Sequence, residues 1–318
     1  MKAALRSFYF VICVVVHTAA FSQVTYPYPV KRLMLVMDNT FAEMAYMDIQ
    51  PASTNGHTIV LLHGKNFNGY YWKEVIPYFV EAGYRVIVPD QVGWGRSDKP
   101  ELHYSFHLLA QNTACLLDTL GVNKVIFVGH SMGGMLATRF AILYPQRVEK
   151  LILENPIGLE DYKRFVPYQS TESLTAKEKL ANYDSYKKYQ QSYYPEWKPE
   201  YEQYVEAQAE ALKDPNFVRI AKVNALTYQM IYQEPVCYEW DRLTMPVLLI
   251  IGLADRTVVG KEALSEEQKK KFGQYPVLGK KTKAQIRNSR LIELPGVGHI
   301  PHIQQSSSFI KAVLGFLG

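Results

Sequence analysis

The sequence predicts an α/β protein: a mostly parallel, doubly wound sheet with a helical cap inserted into it. Short aliphatic or β-branched runs at 58–62, 85–89, 124–128, 150–154, 247–251 and 289–294 alternate with helix-like stretches at 72–82, 106–120, 132–144 and 307–317. That rhythm is the one βαβ units produce. Two of the runs, Ile59-Val60-Leu61-Leu62 and Val247-Leu248-Leu249-Ile250-Ile251, are apolar without interruption, as strands covered on both faces should be. The interval 157–240 breaks the rhythm, because it is rich in Lys, Glu and Tyr and holds no such run. A structureless loop of that length does not belong inside a compact domain, and 206–212 and 218–230 carry helical periodicity. The interval therefore reads as a cap.

In chain order, Lys2 and Arg6 precede an apolar run at 8–16, and small residues lead to Ala20-Phe21-Ser22. This is the layout of a secretory signal cut after Ser22. An uncleaved anchor is the other reading, although the run falls short of the roughly 20 residues that span a bilayer. A lipoprotein reading on Cys13 is weaker, since Ile12 stands where a small residue belongs. The expected organisation is a leader at 1–22, a core at 23–156 and 241–318, and a cap at 157–240. The expected product is exported, without a membrane span once the leader is removed. Residues 33–37 and 44–49 read as antiparallel strands at the leading edge.

Composition sets limits. The 318 residues are 48% hydrophobic and 20% charged, with a formal charge of +5. The richest basic stretch, Lys269 to Arg290, is interrupted by Gly, Pro and Tyr. It reads as a solvated face rather than a nucleic-acid stripe. Of three cysteines, Cys13 lies in the leader, and Cys115 and Cys237 are too few for a disulfide framework. Cys115 falls within the apolar-periodic stretch 108–120 and is expected to be a buried structural thiol. No CxxC or HExxH spacing occurs, so no metal is implied.

The chemistry centres on Gly129-His130-Ser131-Met132-Gly133, a G-x-S-x-G that follows a strand-like run and opens a helix-like one. A serine there sits on a sharp turn, its hydroxyl lifted above the sheet, with glycines clearing the crowded backbone. Such a hydroxyl needs a base. His299, in Pro295-Gly296-Val297-Gly298-His299 after the last run, is the first choice, and His302 is its rival. The acid that holds the imidazole is expected at Asp255, just beyond 247–251, with Glu154 as the alternative. The order Ser131, Asp255, His299 is the one this topology uses. Oxyanion donors are expected from the N–H of Met132 and of Lys65, with Asn66 second, in the loop His63-Gly64-Lys65-Asn66. The Lys65 side chain itself reads as structural or solvent-facing.

These pieces resemble the capped α/β-hydrolase superfamily from about Leu33 to the end. The marks are His63-Gly64 with Trp72 downstream, Asp90-Gln91-Val92-Gly93-Trp94-Gly95-Arg96-Ser97-Asp98-Lys99-Pro100, Gly129 to Gly134, Asp255-Arg256-Thr257 and Gly298-His299. The resemblance implies cofactor-free hydrolysis of an ester or related acyl compound. Haloalkane dehalogenases and epoxide hydrolases carry Asp where this chain has Ser131. Carbon–carbon bond hydrolases typically carry Asn where it has His130, and proline iminopeptidases Trp where it has Met132. Esterases, lactonases and haloperoxidase-like perhydrolases commonly read Gly-His-Ser-Met-Gly-Gly, as here. An aminopeptidase, amidase or C–C hydrolase remains the alternative within the fold, with Glu154 or Glu160 gripping a substrate amine in the first case. A slow-turnover binding protein is the alternative outside it. The tyrosines of 157–240 either line a pocket for an apolar or aromatic acyl substrate or pack the cap onto the core.

Overall fold

Among the described residues, eight strands, numbered β1 to β8 in chain order, form one sheet in the order β1-β2-β4-β3-β5-β6-β7-β8. The computed structural model describes residues 24–37 and 39–318, so the expected leader at 1–22 lies outside the described residues. The hairpin β1 (Val30–Met37) and β2 (Thr40–Ile49) is antiparallel, and β2 meets β4 antiparallel. From β3 (Thr58–Leu62) and β4 (Arg85–Pro89) onward, through β5 (Val125–His130), β6 (Val148–Glu154), β7 (Val247–Gly252) and β8 (Ser289–Leu294), every pairing is parallel. All six expected core runs are strands, and the two leading runs are the expected hairpin.

The uninterrupted apolar runs are explained by two cores, one on each face. Val60, Leu62, Phe127, Leu151 and Leu249 join Phe106 of α2 (Phe106–Thr119) and Phe140 of α3 (Met132–Leu143). Their neighbours Ile59, Leu61, Ile126, Ile152 and Leu248 join Phe79 of α1 (Ile76–Glu81) on the other face. The period-2 alternation of a strand thus feeds both layers. Helix α2 is capped by the Ser105 side chain, which accepts from the Leu108 N–H. Cys115 is exposed, contrary to expectation. The buried side of α2 is Leu109, Ala110, Asn112, Thr113, Leu116 and Leu117, while Gln111, Cys115 and Asp118 face outward at helical spacing. Cys115 and Cys237 are both free thiols.

Between β6 and β7 the chain builds α4 (Thr171–Glu178), α5 (Tyr183–Gln191), α6 (Glu202–Ala209) and α7 (Phe217–Gln233). Helix α4 packs on α7 and α5 on α6. After β7 come α8 (Glu266–Lys271) and α9 (Tyr275–Gln285), and after β8 come α10 (Pro301–Gln304) and α11 (Ser306–Leu317); Phe309 and Val313 of α11 join α1 under the second face. Helices α8 and α9 occupy the basic stretch. Polar all round, α8 is held by a Ser265–Gln268 capping box. Helix α9 buries Tyr275, Leu278, Gly279 and Thr282 on one stripe and leaves Lys280, Lys281 and Lys283 in solvent. Among the described residues no helix is long and apolar enough to cross a membrane.

Candidate active site

Strand register brings the site together. Leu62 pairs with Gly129, His130 with Glu154, Glu154 with Ile250, and Gly252 with Leu294. The segments after β3, β5, β6, β7 and β8 therefore leave the sheet at one edge and one level. Strand β3 leads sideways to β4 while β5 leads away on its other side, so this edge includes a point where the winding reverses, where such sheets leave a crevice.

Ser131 sits at the end of β5 with φ 56° and ψ −119°, a backbone strain of about 1–3 kcal/mol that the surroundings must hold. Its N–H donates to the Glu154 carbonyl at 3.1 Å, and its own carbonyl accepts from Gly134 and Ile157. The flanking glycines are a steric necessity. A Cβ on Gly133 would lie 2.1 Å from the Leu62 carbonyl oxygen, and one on Gly129 would lie 2.4 Å from the Gly133 oxygen.

His299 Nε2 lies 2.9 Å from Ser131 Oγ, and its Nδ1 lies 2.7 Å from Asp255 Oδ2. Ser131, Asp255 and His299 are 6%, 2% and 1% exposed, so these hydrogen bonds form with little competing water. Asp255 also accepts from Asn155 Nδ2 at 2.7 Å and from the Thr257 N–H at 2.8 Å. Burial pushes its carboxyl up, but His299 and these donors outweigh burial and hold it below the usual carboxylate range. An ionised Asp255 keeps the proton of His299 on Nδ1 and leaves Nε2 free to accept.

The loop after β3 runs against the serine, since a Cβ on Gly64 would lie 3.1 Å from Ser131 Cβ. Trp94 Nε1–H donates to the Lys65 carbonyl at 2.6 Å, and Asn66 Nδ2 donates to Tyr193 Oη at 3.0 Å. Among the described residues no acceptor meets the N–H of Met132, Lys65 or Asn66. All five predicted site residues are thus brought to one place.

A family model described as alpha/beta hydrolase fold matches residues 57–306. The chain belongs to the α/β-hydrolase fold family. A probable hydrolytic enzyme from Pseudomonas aeruginosa PAO1 has a similar structure, with a TM-score of 0.91 and 45% identity over 92% of this chain and 96% of that one. An enol-lactonase from Burkholderia xenovorans LB400 shares the fold at a TM-score of 0.69 and 21% identity, over 90% of this chain and 99% of that one. A 2-hydroxy-6-oxononadienedioate/2-hydroxy-6-oxononatrienedioate hydrolase from Burkholderia vietnamiensis is 39% identical over 141 residues, 43% of this chain and 48% of its own length. The chain spans about half the length of that curated relative.

The two rivals within this α/β hydrolase have found each other. His302 Nδ1 lies 2.9 Å from both Glu154 oxygens, and its N–H donates to Oε1 at 2.7 Å. Trp72 stacks on the His302 ring at 4.1 Å and Tyr71 meets it edge-on at 4.7 Å. Neither rival's side chain bonds to the Ser131 hydroxyl or to the His299 side chain. Burial pushes the Glu154 carboxyl up to about 7 and holds the His302 imidazole well below its ordinary value. Glu160 is likewise engaged, accepting from the Gly273 N–H at 2.9 Å.

Three supporting residues of the hydrolase carried no motif. Tyr71 Oη accepts from the Gly64 N–H at 2.9 Å and donates to His130 Nδ1 at 3.0 Å, while His130 Nε2–H donates to the His299 carbonyl at 2.8 Å. Burial pushes the His130 imidazole down to about 3, so the ring stays neutral and holds that tautomer. Asn155, at φ 35°, also accepts from the Gly252 N–H and so ties β7 to Asp255. Tyr193, from the segment after α5, stacks on His299 at 4.8 Å, and its carbonyl accepts the His299 N–H at 2.8 Å. Its neighbour on each side is aromatic or polar, so only the fold singles it out.

Proposed function

We propose that this hydrolase cleaves carboxylic esters through a Ser131 acyl-enzyme. The observation that carries the reading is the continuous hydrogen-bond chain from Ser131 Oγ through His299 to Asp255, beside amides that lack acceptors. His299 Nε2 takes the serine proton as Oγ attacks the acyl carbon. The carbonyl oxygen becomes an oxyanion that the Met132 and Lys65 N–H groups receive. Collapse expels the alkoxide, which leaves with the proton from His299, and water activated by the same nitrogen then releases the acid. The leader pattern ending at Ser22 supports action outside the cytoplasm.

A second reading is C–C bond cleavage, favoured by the curated relatives named for 2-hydroxy-6-oxo-dienoate substrates. A fluorophosphonate probe should label the wild type and spare Ser131→Ala at unchanged thermal stability. In a panel of p-nitrophenyl esters, anilides and 2-hydroxy-6-oxo-6-phenylhexa-2,4-dienoate, the esters should turn over fastest. Equal labelling of the variant removes Ser131 from its role, and a dienoate turned over well ahead of the esters moves the reading to C–C cleavage. A folded wild type that takes no label and only binds substrates stoichiometrically sinks the enzyme reading.

A further inference from the structure

Hydrogen bonds at Nδ1 and Nε2 lie in the plane of the His299 imidazole, so they set its direction and oppose tipping out of that plane only weakly. The groups that complete its hold differ in origin. Ser131, Asp255, His130 and Tyr275 belong to the sheet and to the segment after β7. Tyr193 comes from the helices between β6 and β7, two residues past the end of α5. Its ring stacks on the imidazole at 4.8 Å and 28°, and its carbonyl accepts the His299 N–H at 2.8 Å. The His299 carbonyl is taken by His130 at 2.8 Å, so sheet and helices grip the two ends of one residue. The Tyr193 hydroxyl accepts from Asn66 Nδ2 at 3.0 Å, which ties the same side chain to the loop after β3. So close is the approach that a Cβ on Gly298 would lie 2.2 Å from the Tyr193 oxygen and 2.9 Å from Pro195 Cδ. Gly298 has no positive φ, so contact with this segment, not turn geometry, requires a glycine there. Tyr193 is seated in turn by α5 and α6. Its N–H donates to the Gln190 carbonyl at 3.0 Å, and Gln190 Nε2 donates to the Tyr204 carbonyl at 3.1 Å and to Gln208 Oε1 at 2.8 Å.

We propose that Tyr193 is a positioning residue through which the α5–α6 pair fixes His299 against Ser131 and holds the loop that receives the oxyanion. The inference rests on the acyl-enzyme reading above. Lifting the pair off the sheet takes from His299 its stacked face and its N–H acceptor together, and takes from Asn66 its tether. Base and oxyanion loop then lose their register in one motion. Misplacing a reacting group by about 1 Å costs on the order of 10²-fold in rate, so seating of these helices is a condition for turnover.

The test uses the full chain and counts rates per serine that a fluorophosphonate labels at completion, so a loss of folded protein does not register. In Tyr193→Ala the labelling rate and kcat for p-nitrophenyl acetate should both fall about 30- to 100-fold, with KM within about threefold. Tyr193→Phe keeps the stack and the main-chain carbonyl. It should restore both rates to within about fivefold of the wild type, the remainder being the lost Asn66 bond. The downfield proton resonance of the His299–Asp255 hydrogen bond should be sharp in the wild type and Tyr193→Phe and broadened in Tyr193→Ala. Wild-type rates in Tyr193→Ala, a loss confined to KM, or a Tyr193→Phe as slow as Tyr193→Ala overturns the proposal. If Tyr193→Ala does not fold, Tyr193→Leu takes its place with the same expectations, since it keeps apolar bulk without a planar face. A wild type that labels while Tyr193→Ala labels equally fast loses this inference and keeps the acyl-enzyme. A folded wild type that takes no label loses both.

Discussion

Two buried carboxylate–imidazole pairs stand side by side in this molecule, Asp255 with His299 and Glu154 with His302. The His130 ring lies between them, 4.8 Å from His299 and 5.5 Å from His302. Burial is nearly identical, and the chemistry differs because the surroundings do. Asp255 collects donors from three residues, His299, Asn155 and Thr257, and stays ionised despite its burial. Glu154 collects side-chain bonds from His302 alone, with Trp72 and Tyr71 against that ring, and its carboxyl rises to about 7. Burial alone therefore makes a carboxylate reluctant to ionise, and the number of donors aimed at it decides whether it can stabilise an imidazolium. Only the first pair meets a hydroxyl.

The largest test of that contrast is to neutralise each acid in turn. Asp255→Asn should lower kcat by about 10⁴, because the imidazole loses both its tautomer and its counter-charge. Glu154→Gln should lower it less than tenfold under the same steady-state assay. Equal losses would mean that the second pair takes part in the reaction and that the two sites work as one unit.

A smaller effect is expected from the residue that links the pairs. Tyr71→Phe leaves the Gly64 N–H without its acceptor and His130 Nδ1 without its donor. Each orphaned buried group costs about 1–3 kcal/mol. His130 is then free to change tautomer and release the His299 carbonyl, so kcat should fall by tens of fold while KM moves by only a few fold. A change confined to KM would show that Tyr71 shapes substrate binding and does not position His299.

How far the sequence reads depends on where the information sits. Strands β3 and β7 were legible because burial on both faces demands unbroken aliphatic runs, the other four because shorter apolar runs keep the same rhythm with the helices, and Ser131 was legible because two steric walls demand Gly129 and Gly133. Asp255 and His299 followed from their places after β7 and β8. The pairing of Glu154 with His302 was not legible, because it joins β6 to α10 across the register of three strands. Helices α8 and α9 were hidden by their lysines: polarity all round α8 and a proline in the first turn of α9 mask the periodicity. Cys115 was misplaced because α2 is apolar enough to suggest burial on every side, and only the packed partner shows which side faces the sheet. Tyr71, Asn155 and Tyr193 act through contacts far apart in sequence, which no local spacing encodes.

The smallest effect sharpens the contrast in stability rather than rate. The folded Glu154 carboxyl lies at about 7 against an ordinary 4.5. Because its affinity for a proton rises on folding, its contribution is fully present below the ordinary value and is lost as pH climbs to about 7. By linkage the loss amounts to roughly 3 kcal/mol at most. Asp255 has the opposite sign: its affinity for a proton falls on folding, so its contribution is present above the ordinary aspartate range and is lost only as pH drops below it. Between about pH 5 and pH 7.5 it adds no slope of its own. Urea unfolding at those two pH values should therefore show the wild type losing stability relative to Glu154→Gln as pH rises. Parallel curves for the two proteins would mean that Glu154 is already ionised against a charged His302, and the two pairs would then be electrostatically alike, with only the contact to Ser131 setting them apart.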